Sequence, residues 1–338
     1  MRDEDWLRAL TARTLAGDAA TREDLLRILA WPAEELPRLL RAAREVRERY
    51  WGRRVKLCML RNARSGLCPE DCHYCSQSAV SRAPIPRYRL QGLEELVEAG
   101  RRAVAAGARR YCMVASGRGP SDRDVEHFAE AARRLKAEFP SLEICVSLGI
   151  LSEEQARRLG EAGVGWVNHN LNTSERFYAR ICTTHTYQDR VRTVRNVARA
   201  GLRTCSGFIA GMGEQDEDLV DLALALRELE VDSLPVNFLH PIPGTPLEGK
   251  NELDPARCLA ILCMARFAHP RADLRAAGGR ELHLGWFQPL ALFPANSLFV
   301  DGYLTTPGDP AEPTRRMVEA LGLEVEAEPS AEAAREVV

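Results

Sequence analysis

From Val55 onward the chain alternates two patterns. Short runs rich in apolar and β-branched residues are followed by longer stretches in which apolar positions recur every three or four residues. The runs are VKLCMLRN, RYCMVAS, EICVSLG, GWVNHNL, RTCSGFIAG, VDSLPVNFLH, ADLRAAGG and PANSLFVDG. Between them lie amphipathic stretches such as LEELVEAGRRAVAAG, DRDVEHFAEAARRLKAEF and QDRVRTVRNVARAG. The first set reads as strands, the second as helices. Gly107, Gly163 and Gly201 follow three of the helical stretches, as glycine does where a helix must turn left-handed to stop. Eight runs alternating with helices at roughly 25–40-residue spacing predict a parallel (β/α)8 barrel of the TIM type. A doubly wound open sheet is the competing arrangement, but no G-x-G-x-x-G follows the first run.

Upstream the period is helical throughout. Thr21 and Asp24 form a capping-box pattern at the head of TREDLLRILA, and Leu25, Leu26, Ile28 and Leu29 make an apolar stripe. A second helix, AEELPRLLRAAREVRERY, follows Trp31-Pro32. The expected organisation is a helical cap over residues 1–52, a barrel over 53–325 and a flexible tail over 326–338, where the sequence turns acidic and alanine-rich.

At 338 residues the chain can bury a large core. Its net charge of −2 gives no electrostatic footprint for nucleic acid. No apolar run approaches the ~20 residues that span a bilayer, and the N-terminus MRDEDWLRAL is charged from the start. The expectation is a soluble, cytoplasmic protein. Ten cysteines then need a reason. Reduced cytosolic thiols make a disulfide framework the weaker explanation, leaving metal or cluster ligation and small buried side chains.

Three of the ten stand together in GLCPEDCHYCSQS. Cys68, Cys72 and Cys75 have the spacing C-x3-C-x2-C, which places three thiolates on one loop directly after the first predicted strand. Three ligands hold three corners of a cubane iron–sulfur cluster and leave one iron open to bind a reactant. Half of a zinc site is the alternative; it needs a fourth ligand, such as His73 or a distant cysteine. His73 is too tightly tethered between Cys72 and Cys75 to serve. Cys112, Cys145 and Cys205 fall inside predicted strands, either as small core residues or, if all point inward, as a shared ligand set; alternation along the strand does not decide which. Arg275 lies in the seventh run, turned either to the helical layer or inward against anionic groups. Asn168, His169, Asn170 and Asn172 cluster at the end of the fourth run, and Asn237 ends the sixth. Amides are rare in strands, so loop capping or contact with a polar ligand accounts for them. The loops holding Gly117, Gly119, Gly211 and Gly213 permit close backbone approach or supply turns. Arg190 either pairs with a carboxylate or is solvated.

Taken together, the motifs carry a resemblance. The loop with Tyr74 before its last cysteine is similar to that of the radical S-adenosylmethionine superfamily. The strings NARSGLCPEDCHYCSQS, YCMVASGRGP, NHNLNTS, TTHTY, CSGFIAGMGE, PVNFLHPIPGTPLEG, GGRE and ANSLFVDGYLTTPG resemble, in order, the biotin synthase family. The likeness runs from about Trp6 to about Val325. It implies a [4Fe–4S] cluster on Cys68, Cys72 and Cys75 whose fourth iron binds S-adenosylmethionine. It implies a [2Fe–2S] cluster on Cys112, Cys145, Cys205 and Arg275. By the same resemblance Tyr74 and Ala115 lie near the adenosyl group, and Arg190 and Asn172 contact the methionine part or the ribose. Asn170 and Asn237 would hold the ureido ring of dethiobiotin, and Thr305 and Thr306 its carboxylate.

The implied reaction is sulfur insertion between C6 and C9 of dethiobiotin, the sulfur coming from the [2Fe–2S] cluster. The implied partners are a flavodoxin- or ferredoxin-type reductant and a second copy of the chain in a homodimer. One departure stands out: Asn172 occupies a position where many members carry Asp. Cys58, Cys182, Cys258 and Cys263 match no ligand position and are expected to be structural. Another radical S-adenosylmethionine barrel with a different small substrate, an electron-transfer scaffold and a zinc-stabilised module are the alternatives.

Overall fold

The computed structural model describes residues 3–326. Ten strands are present among them: β1 (Arg54–Arg64), β2 (Arg110–Ala115), β3 (Glu143–Ser147), β4 (Trp166–Asn168), β5 (Arg203–Cys205), β6 (Phe208–Ala210), β7 (Ser233–Phe238), β8 (Asp273–Ala276), β9 (Ser297–Phe299) and β10 (Glu324–Val325). Every pairing between them is parallel. β1 pairs with β2 on one side and with β9 on the other, so the sheet closes on itself. This excludes the open-sheet alternative and yields the (β/α)8 barrel. Closure leaves no free barrel edge for another chain to extend.

The eight runs occupy the eight strand positions with one difference. The fifth is broken into β5 and β6. At the break Gly207 packs so closely on β7 that a Cβ there would stand 1.9 Å from the Pro235 carbonyl oxygen. A side chain is excluded, and the strand jogs before resuming its pairing with β7. β10 lies outside the eight runs. It extends the sheet beside the start of β1, pairing Arg54 with Glu324.

The helices start and stop where local chemistry dictates. Ser121, Ser152 and Thr186 each accept a bond from the backbone three residues on, closing capping boxes. Gly107, Gly163 and Gly201 have φ of 75°, 96° and 77°, the left-handed stops expected of them. The N-terminal region holds three helices rather than two: Asp3–Ala16, Arg22–Leu29 and Leu36–Trp51. The Thr21–Asp24 box is formed, and Asp24 also accepts the Trp6 indole N–H at 3.1 Å, tying the first helix to the second. The second and third helices pack on the helix Pro255–Ala268. That helix is buried on every side from Cys258 to Ala268, as one between a cap and a barrel must be. Leu259, Leu262 and Phe267 there each contribute about 1.5–3 kcal/mol of burial. Cys258 and Cys263 are part of this packing.

The barrel's N-terminal end is plugged by charge. Lys56, Arg110, Glu143 and Asp273 stand at or near the starts of their strands and are buried or nearly so. Lys56 Nζ meets Glu143 at 2.9 Å, Arg110 Nε meets Glu143 at 2.8 Å and Arg110 Nη2 meets Asp273 at 3.0 Å. The Arg110 guanidinium lies 3.6 Å from the centre of the Trp166 ring. The functional groups lie above this floor, toward the C-terminal ends of the strands.

Candidate active site

Two residues above the floor, each strand presents its next inward side chain. Arg110 is followed by Cys112 and Asp273 by Arg275. Cys112 and Cys145 are in register across β2 and β3, with Sγ atoms 3.3 Å apart and no disulfide. Cys205 closes the group from β5, and its Sγ lies 3.8 Å from Arg275 Nη1. Tyr111 and Met113, on the other face of β2, pack into the helical layer. The alternation left open by the sequence thus places all three cysteines inside, and Arg275 faces inward with them.

Arg275 is held by the protein itself. Its Nε donates to Ser297 Oγ at 3.0 Å, and its Nη2 lies 3.4 Å from Asp273 Oδ2. Burial opposes its charge, but the Asp273 carboxylate beside it holds the guanidinium protonated. Burial likewise pushes the Asp273 carboxyl up, and Arg110, Arg275 and Lys56 outweigh it and bring the pKa below the ordinary value. Three cations against two carboxylates leave this buried region one positive charge in excess. That excess favours an anionic group among the thiols above. Cys58 joins the same region: it is fully buried and its Sγ lies 3.5 Å from Ser297 Oγ.

The three-cysteine loop leaves β1 through a neck. Ser65 and Tyr88 exchange two backbone bonds at 3.1 Å, so the excursion starts and ends at one point. Leu67, immediately before Cys68, has φ of 56°, a left-handed conformation costing a non-glycine residue about 1–2 kcal/mol. Cys75 N donates to Cys72 O and Ser78 N to Cys75 O, both at 3.1 Å, coiling the loop around its thiols. Asp71 anchors it to the segment after Ile181, accepting from Thr183 N at 2.9 Å and Thr184 N at 3.2 Å. Burial works against that carboxylate's charge, yet the bonds from Thr183, Cys182 and Thr184 hold it well below the usual range.

The same anchoring places two unforeseen residues at Cys72. Cys182 Sγ lies 3.8 Å from Cys72 Sγ, and His185 Nε2 lies 3.6 Å from it. The bond from Cys72 to Cys182 raises the first thiol's pKa and lowers the second's. His73 instead uses its backbone N–H on Ile181 O. Cys182, expected to be structural, is buried with its sulfur against the loop's middle cysteine.

On the rim the amides are locked by backbone. Asn170 Oδ1 accepts from Gly207 N at 3.0 Å. Asn237 Oδ1 accepts from Gly278 N and its Nδ2 donates to Phe208 O, both at 3.0 Å. Asn237 keeps one N–H and one lone pair for a ligand, whereas Asn170 Oδ1 also accepts from Asn168 Nδ2 at 3.0 Å and leaves its amide N–H groups to donate. Asn172 has φ of 71°, which Asn tolerates, and donates to Tyr74 Oη at 2.6 Å. Arg190 is half-buried rather than solvated; it donates to Tyr178 Oη and, at 2.9 Å, to Asn170 O. Thr305 reaches across the mouth to Ser76, Oγ to Oγ at 2.8 Å.

One cavity of about 380 Å³ lies between the loop, the interior cysteines and the amide rim. Every ligand and contact residue that the resemblance implied lies on its wall, from Cys68 on the loop to Thr306 at the mouth. Cys58, Asn168 and His169 line it too, and His169 Nε2 has no hydrogen-bond partner. Of the glycine loops, only Gly117 reaches it. Gly119 abuts Ile150 O instead, and the Gly211–Gly213 loop is closed by its own Glu214, which accepts from Gly211 N and Met212 N.

Comparison with known proteins matches this architecture. A model of the Radical SAM superfamily matches residues 64–226, and a model of the Biotin and Thiamin Synthesis associated domain matches 235–324. Biotin synthase from Bacillus subtilis strain 168 is 50% identical over 317 residues, 94% of each chain. Biotin synthase from Geobacillus kaustophilus is 50% identical over 329 residues, 97% of this chain and 98% of that one. The chain belongs to the biotin synthase family. Its function is biotin synthesis by radical S-adenosylmethionine chemistry, with S-adenosylmethionine and iron–sulfur clusters as the family's cofactors. Among solved structures, methylornithine synthase superposes with a TM-score of 0.81 at 24% identity, covering 96% of this chain and 99% of that one. The maturase HydG of Carboxydothermus hydrogenoformans gives 0.80 at 16%, covering 98% and 82%. These two share the fold.

The donor chemistry fits the biotin synthase family's clusters. Four cysteine thiols and an arginine meet in the barrel, over a floor of net positive charge. On the loop, Cys68 and Cys75 are not drawn into the one group of donors among the described residues that is compact enough for a single ion. The three loop cysteines are spaced for something larger than one metal. No helix of the described residues is long and apolar enough to cross a membrane.

Proposed function

We propose that this chain inserts one sulfur between C6 and C9 of dethiobiotin. Cys68, Cys72 and Cys75 would hold a [4Fe–4S] cluster; Cys112, Cys145, Cys205 and Arg275 would hold a [2Fe–2S] cluster. The observation that carries this reading is that both donor sets, at rim and floor, line one cavity with the amide-bearing wall between them. When bound, the first cluster supplies the electron that splits S-adenosylmethionine into methionine and a 5′-deoxyadenosyl radical, and the second supplies the sulfur.

The chain's own residues set the geometry. Tyr74 and Ala115 flank the adenosyl group, and Arg190 and Asn172 hold the methionine part or the ribose. Arg190 enters this role already oriented, because Tyr178 and the Asn170 carbonyl fix its guanidinium. Asn170 and Asn237 take the ureido ring, Asn170 as a donor through its amide N–H groups and Asn237 through one N–H and one lone pair. Thr305 and Thr306 take the carboxylate at the mouth, and the Thr305–Ser76 bond draws that segment over the loop. A closed cavity keeps water and stray hydrogen donors from a primary carbon radical and fixes the reacting atoms in contact.

Arg275 keeps its charge beside the thiolates because Asp273 and Ser297 anchor its far side. Residues 1–52 would act as a cap on one barrel over residues 53–325; the proposed tail lies almost wholly outside the described residues. The enzyme would work in the cytoplasm as a homodimer with a flavodoxin- or ferredoxin-type donor. Anaerobic turnover with dethiobiotin, S-adenosylmethionine and a reductant tests the reading. Biotin and 5′-deoxyadenosine are expected together. Failure of iron- and sulfide-reconstituted protein to form either product would overturn it.

A further inference from the structure

We propose that Cys72, Cys182 and His185 form a mononuclear site for one tetrahedral divalent ion of the zinc type, filled when the loop carries no cluster. The site goes beyond the reaction proposed above and excludes it in time, because both uses need the Cys72 sulfur.

The distances carry the argument. Tetrahedral zinc with bonds of about 2.3 Å to sulfur and about 2.0–2.1 Å to nitrogen sets its sulfurs about 3.8 Å apart and sulfur and nitrogen about 3.5–3.6 Å apart. Cys72 Sγ and Cys182 Sγ are 3.8 Å apart. His185 Nε2 is 3.6 Å from the first sulfur and 3.5 Å from the second. All three side chains are buried. Three donors from two segments, more than a hundred residues apart, meet at the spacing of one ion's ligands.

The surroundings fit the same use. Tyr178 Oη lies 2.8 Å from His185 Nδ1, so the ring is steered by one nitrogen and offers the other, as ligating histidines are. Two thiolates and an imidazole suit a borderline-soft divalent ion. Glu70 Oε2, 3.6 Å from His185 Nε2, stands where a fourth ligand or its water would be. Asp71 Oδ1, 3.1 Å from Cys182 Sγ, is already held by Thr183 and Thr184 backbone and serves as anchor. Arg190 Nη2 is 3.3 Å from the same His185 nitrogen, and an ion there displaces that contact. The site thereby couples to an arginine that lines the cavity: filling it frees Arg190 from one of its three partners.

Cobalt(II) is the probe. The full-length chain is stripped of clusters under anaerobic reducing conditions and titrated with Co²⁺, then with Zn²⁺. One Co²⁺ per chain is expected, with tetrahedral visible bands and charge-transfer absorption from two thiolates, displaced by one Zn²⁺. Cys182→Ala, Cys182→Ser and His185→Gln each weaken binding by about tenfold or more. The two cysteine variants also halve the charge-transfer intensity. Cys68→Ser and Cys75→Ser leave the spectrum and affinity unchanged. Unchanged spectra in the Cys182 and His185 variants, or loss of the bands in the Cys68 or Cys75 variants, would assign the ion to the three-cysteine loop and overturn the proposal. Co²⁺ bands at full cluster occupancy would overturn the exclusivity. A chain that takes up no cluster leaves the cobalt result readable, so this proposal and the cluster reading fail separately.

Discussion

Cys68, Cys72 and Cys75 come from eight consecutive residues of one loop, whereas Cys112, Cys145, Cys205 and Arg275 come from four strands between residues 112 and 275. The loop shapes its thiols by local turns and is moored to the rest of the chain through Asp71. The interior set inherits its geometry from the register of the whole barrel and stands on a buried ion network. Removing a loop thiol should disturb chemistry and little else. Disturbing the interior should register in stability as well, since charges there have no water to fall back on.

The largest break in this comparison is Cys72→Ala. It should abolish both 5′-deoxyadenosine and biotin formation, a loss beyond ~10³-fold, while the unfolding midpoint stays close to wild type. Retained deoxyadenosine formation would refute the loop's assignment. Cys145→Ala should separate the two products: S-adenosylmethionine cleavage stays within about tenfold, and biotin is not made. Biotin from that variant would mean the sulfur comes from elsewhere. Asp273→Asn should show the interior's second dependence. It strips Arg110 and Arg275 of their shared carboxylate and should cost about 3–5 kcal/mol, read by urea denaturation; a loss under 1 kcal/mol would show the floor's charges to be screened. The smallest change is Asn172→Asp, which exchanges the amide for the residue that the family resemblance implies at this position. Asp tolerates the same left-handed backbone, and the Tyr74 hydroxyl would turn to donate to it. The KM for S-adenosylmethionine should change by no more than about tenfold, with biotin yield per deoxyadenosine unchanged.

The barrel was legible because strand and helix periods alternate with little interruption, and the glycine stops and capping boxes agree with them. What escaped was set by tertiary contact. The break between β5 and β6 depends on the nearness of Gly207 to Pro235, which no local pattern records. β10 is too short to carry a period, and the short helices Glu175–Tyr178 and Arg280–Leu284 likewise. The loop cysteines were legible from spacing. The interior cysteines became so only through resemblance, because a single thiol in a strand looks like core. Two signals went unused. Cys58 alternates with Lys56 and Leu60 on β1, which marks it as inward-facing. Cys182 and His185 stand in a C-x2-H spacing that itself suggests metal ligation.

The pairing of β1 with β9 also has a consequence in time. Lys56 and Ser297 are partners, so the strand that launches the cysteine loop closes its barrel only after about 240 further residues have been made. At ~5–20 residues per second this is a wait of roughly 10–50 s on the ribosome. During it the loop is complete in sequence, but the His185 segment and the Thr305 segment that later confine it arrive one after the other. The loop and the interior set are therefore completed at different moments in the life of the chain, and the cavity wall at Thr305 is among the last to be built.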